Sequence, residues 1–166
     1  MNLYLMRHAE AKPLGGLVTT DAGRPLTANG ERDARMMGRV LSRLEPHVLM
    51  IACSPLLRAA RTASLLSEGF KVRPAAETWN ELTLGIHANE LLARVNAVSA
   101  QALVLVGHQP DMTNFLALLV ADAAAEIALP PGAIACVTLN PGLTQSVGRM
   151  HWLLTPELVR ALSPGL

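Results

Sequence analysis

"LYLMRHAEAKP", residues 3–13, runs four apolar or aromatic residues straight into an arginine and a histidine. A continuous apolar run of this length fits a strand covered on both faces. "VLMIAC" (48–53) and "LVLV" (103–106) read the same way. Each of the three strands ends on polar chemistry. Arg7-His8 follows the first, Ser54-Pro55 and a helix carrying Arg58 and Arg61 follow the second, and Gly107-His108 follows the third. In an open α/β sheet the ligand crevice lies outside the carboxyl ends of the strands, so three segments distant in sequence are expected to converge there.

Helical patterns separate these strands. Thr27 to about Leu44 repeats apolar residues at helical spacing and is closed by Pro46. "SPLLRAARTASLLS" (54–67) is expected to start with Ser54 as N-cap and Pro55 in the first turn, with Gly69 just beyond its end. "ANELLARVNAVS" (88–99) and "PDMTNFLALLVA" (110–121) complete the set, and "KVRPAA" (71–76) is the weakest strand signal. "AIACVTL" (133–139) and "GRMHWLL" (148–154) flank "NPGLTQSV", whose Asn-Pro-Gly marks the turn of a hairpin. The expected fold class is α/β: a three-layer α/β/α arrangement with a largely parallel central sheet and a C-terminal antiparallel hairpin. With 166 residues and no linker, repeat or low-complexity tract, one domain spanning 1–166 is expected.

Composition narrows the function. A chain that is 51% hydrophobic and 16% charged is a packed globule rather than a disordered one. Its net charge of +1 makes no electrostatic case for nucleic acid or an anionic membrane. No segment has the length of a membrane span, and no apolar leader precedes a cleavage site, so a cytoplasmic protein is expected. Cys53 and Cys136 lie in apolar runs and read as buried, reduced thiols. His47, His87 and His151 lack metal-ligand spacing, so no metal is expected. Trp79 and Trp152 read as packing anchors, although Trp79, beside Glu81, could rim a site.

Two arginines and two histidines around one point suit a phosphoryl group. Guanidinium forks match phosphate oxygens, and imidazole can donate a hydrogen bond or attack phosphorus. The start of the second helix would add backbone N–H groups and the positive end of its dipole. Arg58 and Arg61 can share a helix face; Arg58, a turn nearer the N-terminus, is the expected ligand. Each residue alone also has an ordinary structural reading, as a satisfied histidine or a solvated arginine. "PLTANG" (25–30) is explained by Thr27 or Asn29 capping the helix that follows, and the Gly-containing loop from Lys12 to Arg24 is expected to flank the site.

Together these motifs resemble the histidine phosphatase superfamily, also called the phosphoglycerate mutase-like fold. "LYLMRHAEA" resembles its RHG-type signature, and "PLTANG", "SPLLRAARTA", "NELTLG", "VGHQP" and "GAIACVTL" follow in the family's order over about residues 2–156. The short chain is most similar to the SixA-type phosphohistidine phosphatases of that superfamily. The resemblance implies that His8 is the nucleophile, forming a transient phosphohistidine. It implies that Arg7, Arg58 and a protonated His108 surround the phosphoryl oxygens. It also implies a metal-independent reaction with no cofactor and, as partner, a phosphorylated histidine-containing protein domain. Ala9 stands where the signature commonly has glycine. Glu81 matches the position from which relatives supply an acid, and His108 could share that task.

A phosphohistidine substrate tolerates a weak acid, because imidazole leaves more easily than an alkoxide. The segment between "NELTLG" (80–85) and "LVLVGH" (103–108) has room for one helix and none for a lid domain, and an open site suits a protein substrate. Competing readings are a small-molecule phosphomonoesterase on the same scaffold and a noncatalytic phosphoprotein-binding module. A cysteine phosphatase is disfavoured because Cys53 and Arg58 are spaced Cys-x4-Arg without the glycines such a loop needs.

Overall fold

The computed structural model describes residues 1–85, 87–120, 126–139 and 148–162. Six strands form one sheet: β1 (Asn2–Arg7), β2 (Met50–Cys53), β3 (Ala75–Thr78), β4 (Ala102–Gly107), β5 (Ile134–Leu139) and β6 (Gly148–Leu154). Their order is β3-β2-β4-β1-β5-β6. The first four in that order run parallel, while β5 is antiparallel to β1 and to β6. This is the expected largely parallel sheet ending in an antiparallel pair; the proposed Asn-Pro-Gly turn lies outside the described residues.

Helices α1 (Ala28–Leu44), α2 (Leu57–Ser67), α3 (Ala88–Asn96), α4 (Asp111–Val120) and α5 (Pro156–Leu162) cover the two faces. The period-2 alternation of the strands divides the core accordingly. Leu3 and Leu5 of β1 and Leu103 and Leu105 of β4 pack with Leu91 of α3 and Phe115 of α4. Tyr4, Met6, Val104 and Val106 point the other way, against Met37 and Leu41 of α1, Ala63 and Leu66 of α2 and Val159 of α5. The result is the three-layer α/β/α stack read from the sequence. Both cysteines are buried and free. None of the described helices is long and apolar enough to cross a membrane.

Two local expectations are corrected. The strand placed at 71–76 lies at Ala75–Thr78, after Pro74, which has no N–H to contribute to a ladder. Helix α2 begins at Leu57 with Leu56 in the cap position and no side-chain cap, and Ser54 lies two residues before that position. Helix α5 is a further element beyond the sequence reading. Its Arg160 pairs with Asp33, a carboxylate on the inner face of α1.

Candidate active site

Strand register assembles the site. Arg7 is level with Gly107 across the β1–β4 pair, and Cys53 is level with Val106 across β2–β4. The next residues therefore leave the sheet together. His8 N–H donates to the Gly107 carbonyl (2.9 Å) and Ser54 N–H to that of Val106 (3.0 Å). The rings of His8 and His108 lie 5.2 Å apart, centroid to centroid, tilted by 59°.

His8 is held as a neutral base with one free face. Its Nδ1 lies 2.8 Å from the Ala9 carbonyl, which can only accept, so the proton is on Nδ1 and Nε2 carries the lone pair. That lone pair accepts from Arg58 Nε at 3.2 Å. Burial, with Arg58, Arg7 and Arg24 as neighbouring cations, pushes the imidazole down to about 4.

Arg58 is 3% exposed and engaged through all three of its nitrogens. Besides His8, it donates from Nη1 to the Asp21 carbonyl (2.7 Å) and from Nη2 to Asp21 Oδ2 (3.0 Å). Asp21 also receives Arg24 Nη1 at 3.2 Å, so the Lys12–Arg24 loop lies against the site through its own ion pair. Arg61 turns away and binds Glu31 of α1 at 2.9 Å. The α2 start offers fewer amides than its sequence suggests. Leu56 N–H is taken by Ser54 Oγ (3.3 Å) and Leu57 N–H by the Ala22 carbonyl (3.3 Å).

Arg7 is fixed from the other side. Its Nη1 donates to the Leu129 carbonyl (3.2 Å), while its Nε is buried with no partner among the described residues. Gly132 N–H bridges the carbonyls of Arg7 and His8 (3.1 and 3.2 Å). Its φ of +79° puts it in the left-handed region open to glycine, and a Cβ there would meet Pro156 at 2.9 Å. His108 is 1% exposed. Burial first, then His8 and Arg58, push it down to about 3, so without a ligand it is neutral rather than protonated.

Glu81 lies in the 3₁₀ turn Asn80–Leu82 that follows β3. Its neighbour Leu82 packs beside Gly107, which places the turn at the His108 end of the sheet. Its carboxylate makes no hydrogen bond or ion pair among the described residues. Trp79 does not rim the site: it is buried, donates Nε1–H to Glu77 (3.0 Å) and is covered by Arg94 at 4.7 Å. His47, His87 and His151 are exposed, and no described group of three or more His, Cys, Asp or Glu could hold a metal.

Two supporting residues escaped the sequence reading. Thr62, fully buried in α2, donates to the Arg58 carbonyl (2.7 Å) and accepts the N–H of Ala9 (3.1 Å). Ser54 Oγ lies 2.7 Å from His108 Nε2. Each was hidden by an ordinary explanation, Thr62 as a helix residue and Ser54 as a cap. "PLTANG" acts from outside: Thr27 caps α1 by accepting Gly30 N–H (2.9 Å), and its own N–H donates to the Glu10 carbonyl (3.0 Å). Gly30 lets the helix approach that carbonyl, which a Cβ would meet at 2.1 Å.

The family model described as "Histidine phosphatase superfamily (branch 1)" matches residues 3–111, the span holding His8, Arg58 and His108. The chain belongs to the histidine phosphatase superfamily. As a member it is a phosphatase, and its relatives cover it almost end to end. It is 28% identical to the phosphohistidine phosphatase SixA of Escherichia coli K12 over 94% of each chain. The solved structure of the protein histidine phosphatase SixA complexed with tungstate superposes with a TM-score of 0.82 at 25% identity, covering 94% of this chain and 97% of that one. The α-ribazole phosphatase of Shigella flexneri shares the fold, with a TM-score of 0.71 at 19% identity over 94% and 97% of the two chains.

Proposed function

We propose that this histidine phosphatase hydrolyses phosphohistidine on a protein domain, with His8 as nucleophile. The observation that carries the mechanism is the tautomer of His8: Nδ1–H is tied to the Ala9 carbonyl, and the Nε2 lone pair points at a guanidinium. A phosphoryl group entering between Nε2 and Arg58 would take over the Arg58 Nε–H. Nε2 attacks phosphorus, the P–N bond of the substrate breaks, and the substrate imidazole leaves with a proton. Water then attacks phosphorus on His8, the Nε2–P bond breaks, and phosphate departs with His8 neutral again. Arg58, the unpartnered Nε of Arg7 and His108 would balance the charge on the phosphoryl oxygens through both steps. Glu81 and His108 are the two proton donors within this reading.

Three observations favour a protein phosphohistidine over a small phosphomonoester. The chain is 28% identical to SixA over 94% of each chain, against 19% for the α-ribazole phosphatase at the same coverage of this chain. Glu81 is held by no partner aimed at the histidines, a weakness that a good leaving group tolerates. Among the described residues, the connection from the 3₁₀ turn to β4 holds one helix, α3, and no further element.

The test is the time course of phosphate release from a phosphohistidine-bearing phosphotransfer domain and from an aryl phosphate, both in EDTA, with His8→Ala as control. Fast EDTA-resistant release from the phosphoprotein that vanishes in His8→Ala is the expected result. Turnover of the aryl phosphate alone would move the substrate to small phosphomonoesters, and turnover persisting in His8→Ala would remove the nucleophile.

A further inference from the structure

The two imidazoles of the site are not equivalent. The tautomer of His8 is dictated by a carbonyl, which can only accept. His108 instead faces Ser54 Oγ, which could either donate to Nε2 or accept from it, and the rest of the network decides which.

Ser54 is fully buried. Its hydroxyl carries one proton and two lone pairs, and one lone pair takes the amide of Leu56 (3.3 Å). If the hydroxyl donates to His108 Nε2, every polar group of the Ser54 side chain is used, and the proton of His108 lies on Nδ1. If Nε2–H donated instead, the Ser54 proton would have no acceptor among the described residues, and His108 Nδ1 would be a second unmatched group. The first arrangement leaves one buried orphan and the second leaves two, and unmatched buried polar groups are what folded proteins avoid. The remaining orphan is Nδ1, buried and without a partner among the described residues, on a ring packed against His8. Arg7 Nε, the other unpartnered nitrogen that flanks the nucleophile, is also a donor.

We propose that Ser54 is a positioning residue that fixes His108 as the Nδ1–H tautomer, so that a neutral imidazole offers this proton to the phosphoryl group beside the Nε2 lone pair of His8. The inference rests on the phosphatase reading in one respect, that His108 meets the phosphoryl group. It replaces an imidazolium, the form expected from the sequence, with a neutral donor. In a pocket already holding Arg7 and Arg58 a third cation is disfavoured before the ligand arrives, and a neutral donor needs no proton uptake to bind it.

Long-range ¹H–¹⁵N correlation spectra of the histidine rings test this directly, with His108 assigned by the signals lost in His108→Gln. The expected result is a protonated Nδ1 and a bare Nε2 on His108 at neutral pH. Ser54→Ala should move the proton to Nε2 or mix the two forms, with kcat lower by about 10- to 100-fold and KM little changed. Ser54→Thr should restore both the ring signature and kcat. A wild-type His108 protonated on Nε2 overturns the proposal, as does Ser54→Ala keeping the Nδ1–H signature with full kcat. The wild-type spectrum decides even where a variant fails to fold. It is also independent of which phosphorylated substrate is turned over, so a wrong substrate and a wrong tautomer give different results.

Discussion

Thr62 and Ala9, distant in sequence, share one hydrogen bond of 3.1 Å that fixes the residue directly after His8. The same hydroxyl donates to the carbonyl of Arg58, so one side chain ties the loop after His8 to the helix carrying Arg58. Thr62→Val keeps the shape and removes both bonds, leaving a buried amide without a partner. The expected loss is about 1–3 kcal/mol of stability. That corresponds to a melting temperature lower by several degrees for a chain of this size. Thr62→Ser should recover most of it. Thermal unfolding of the three proteins checks the order.

Arg58 works as a fork, with Nε on His8 and both Nη groups on Asp21. Lysine keeps the charge but gathers its three donors on one nitrogen and cannot span His8 and Asp21 as the planar fork does. Arg58→Lys should lower kcat about 100- to 1,000-fold with the fold intact, the scale of losing one electrostatic contact to a transition state. Single-turnover kinetics on a phosphohistidine protein, with circular dichroism as the fold control, reads both outcomes.

Glu81 stands free of ion pairs, so its value as an acid should depend on the leaving group. Glu81→Gln is expected to slow an alkyl phosphate by about 100-fold or more, within the ordinary range for general acid catalysis. A phosphohistidine protein should slow by less than about 10-fold under the same rule. Equal losses on both substrates would mean that Glu81 serves the fold or a step common to both.

Both histidines are neutral in the folded chain down to about pH 4 and 3, whereas an unfolded imidazole titrates near 6.5. Below about pH 6.5 the unfolded chain therefore binds more protons, and stability falls as pH falls. The contribution is fully present above that pH and declines steadily until the folded groups themselves titrate. Urea unfolding between pH 8 and 4 should show this slope, and His108→Asn should flatten it. The acid limb of kcat/KM, corrected for substrate ionisation, should lie nearer pH 4 than 6.5, because it reports the free enzyme's base.

The parts of this fold visible in the sequence were those marked by pattern. Apolar runs located β1, β4 and β5 to within a residue or so, and the polar residues after β1, β2 and β4 leave the sheet at one end of it. What stayed hidden depends on the partner a side chain finds across space. Ser54 has every local feature of an N-cap, yet its hydroxyl serves a histidine from another strand. Position along α2 favours Arg58 over Arg61, but it does not show the partner each finds, Asp21 in its loop for Arg58 and Glu31 on α1 for Arg61. The protonation of His108 follows from burial beside cations, which no linear spacing records.

The strand order carries a consequence for how the chain is made. β4 fills the slot between β1 and β2, and it is synthesised after both. Until residues 102–107 emerge, β1 and β2 have no common neighbour, and the edges on which each would pair stay open. His8, Arg58 and His108 therefore come into register in one late event, governed by contacts between distant parts of the chain. A ribosome-bound chain ending near residue 100 should be protease-sensitive throughout. Protection should appear only once β4 has cleared the exit tunnel, so the strand that joins the two halves of the sheet also brings these three residues together, before β5 and β6 are added.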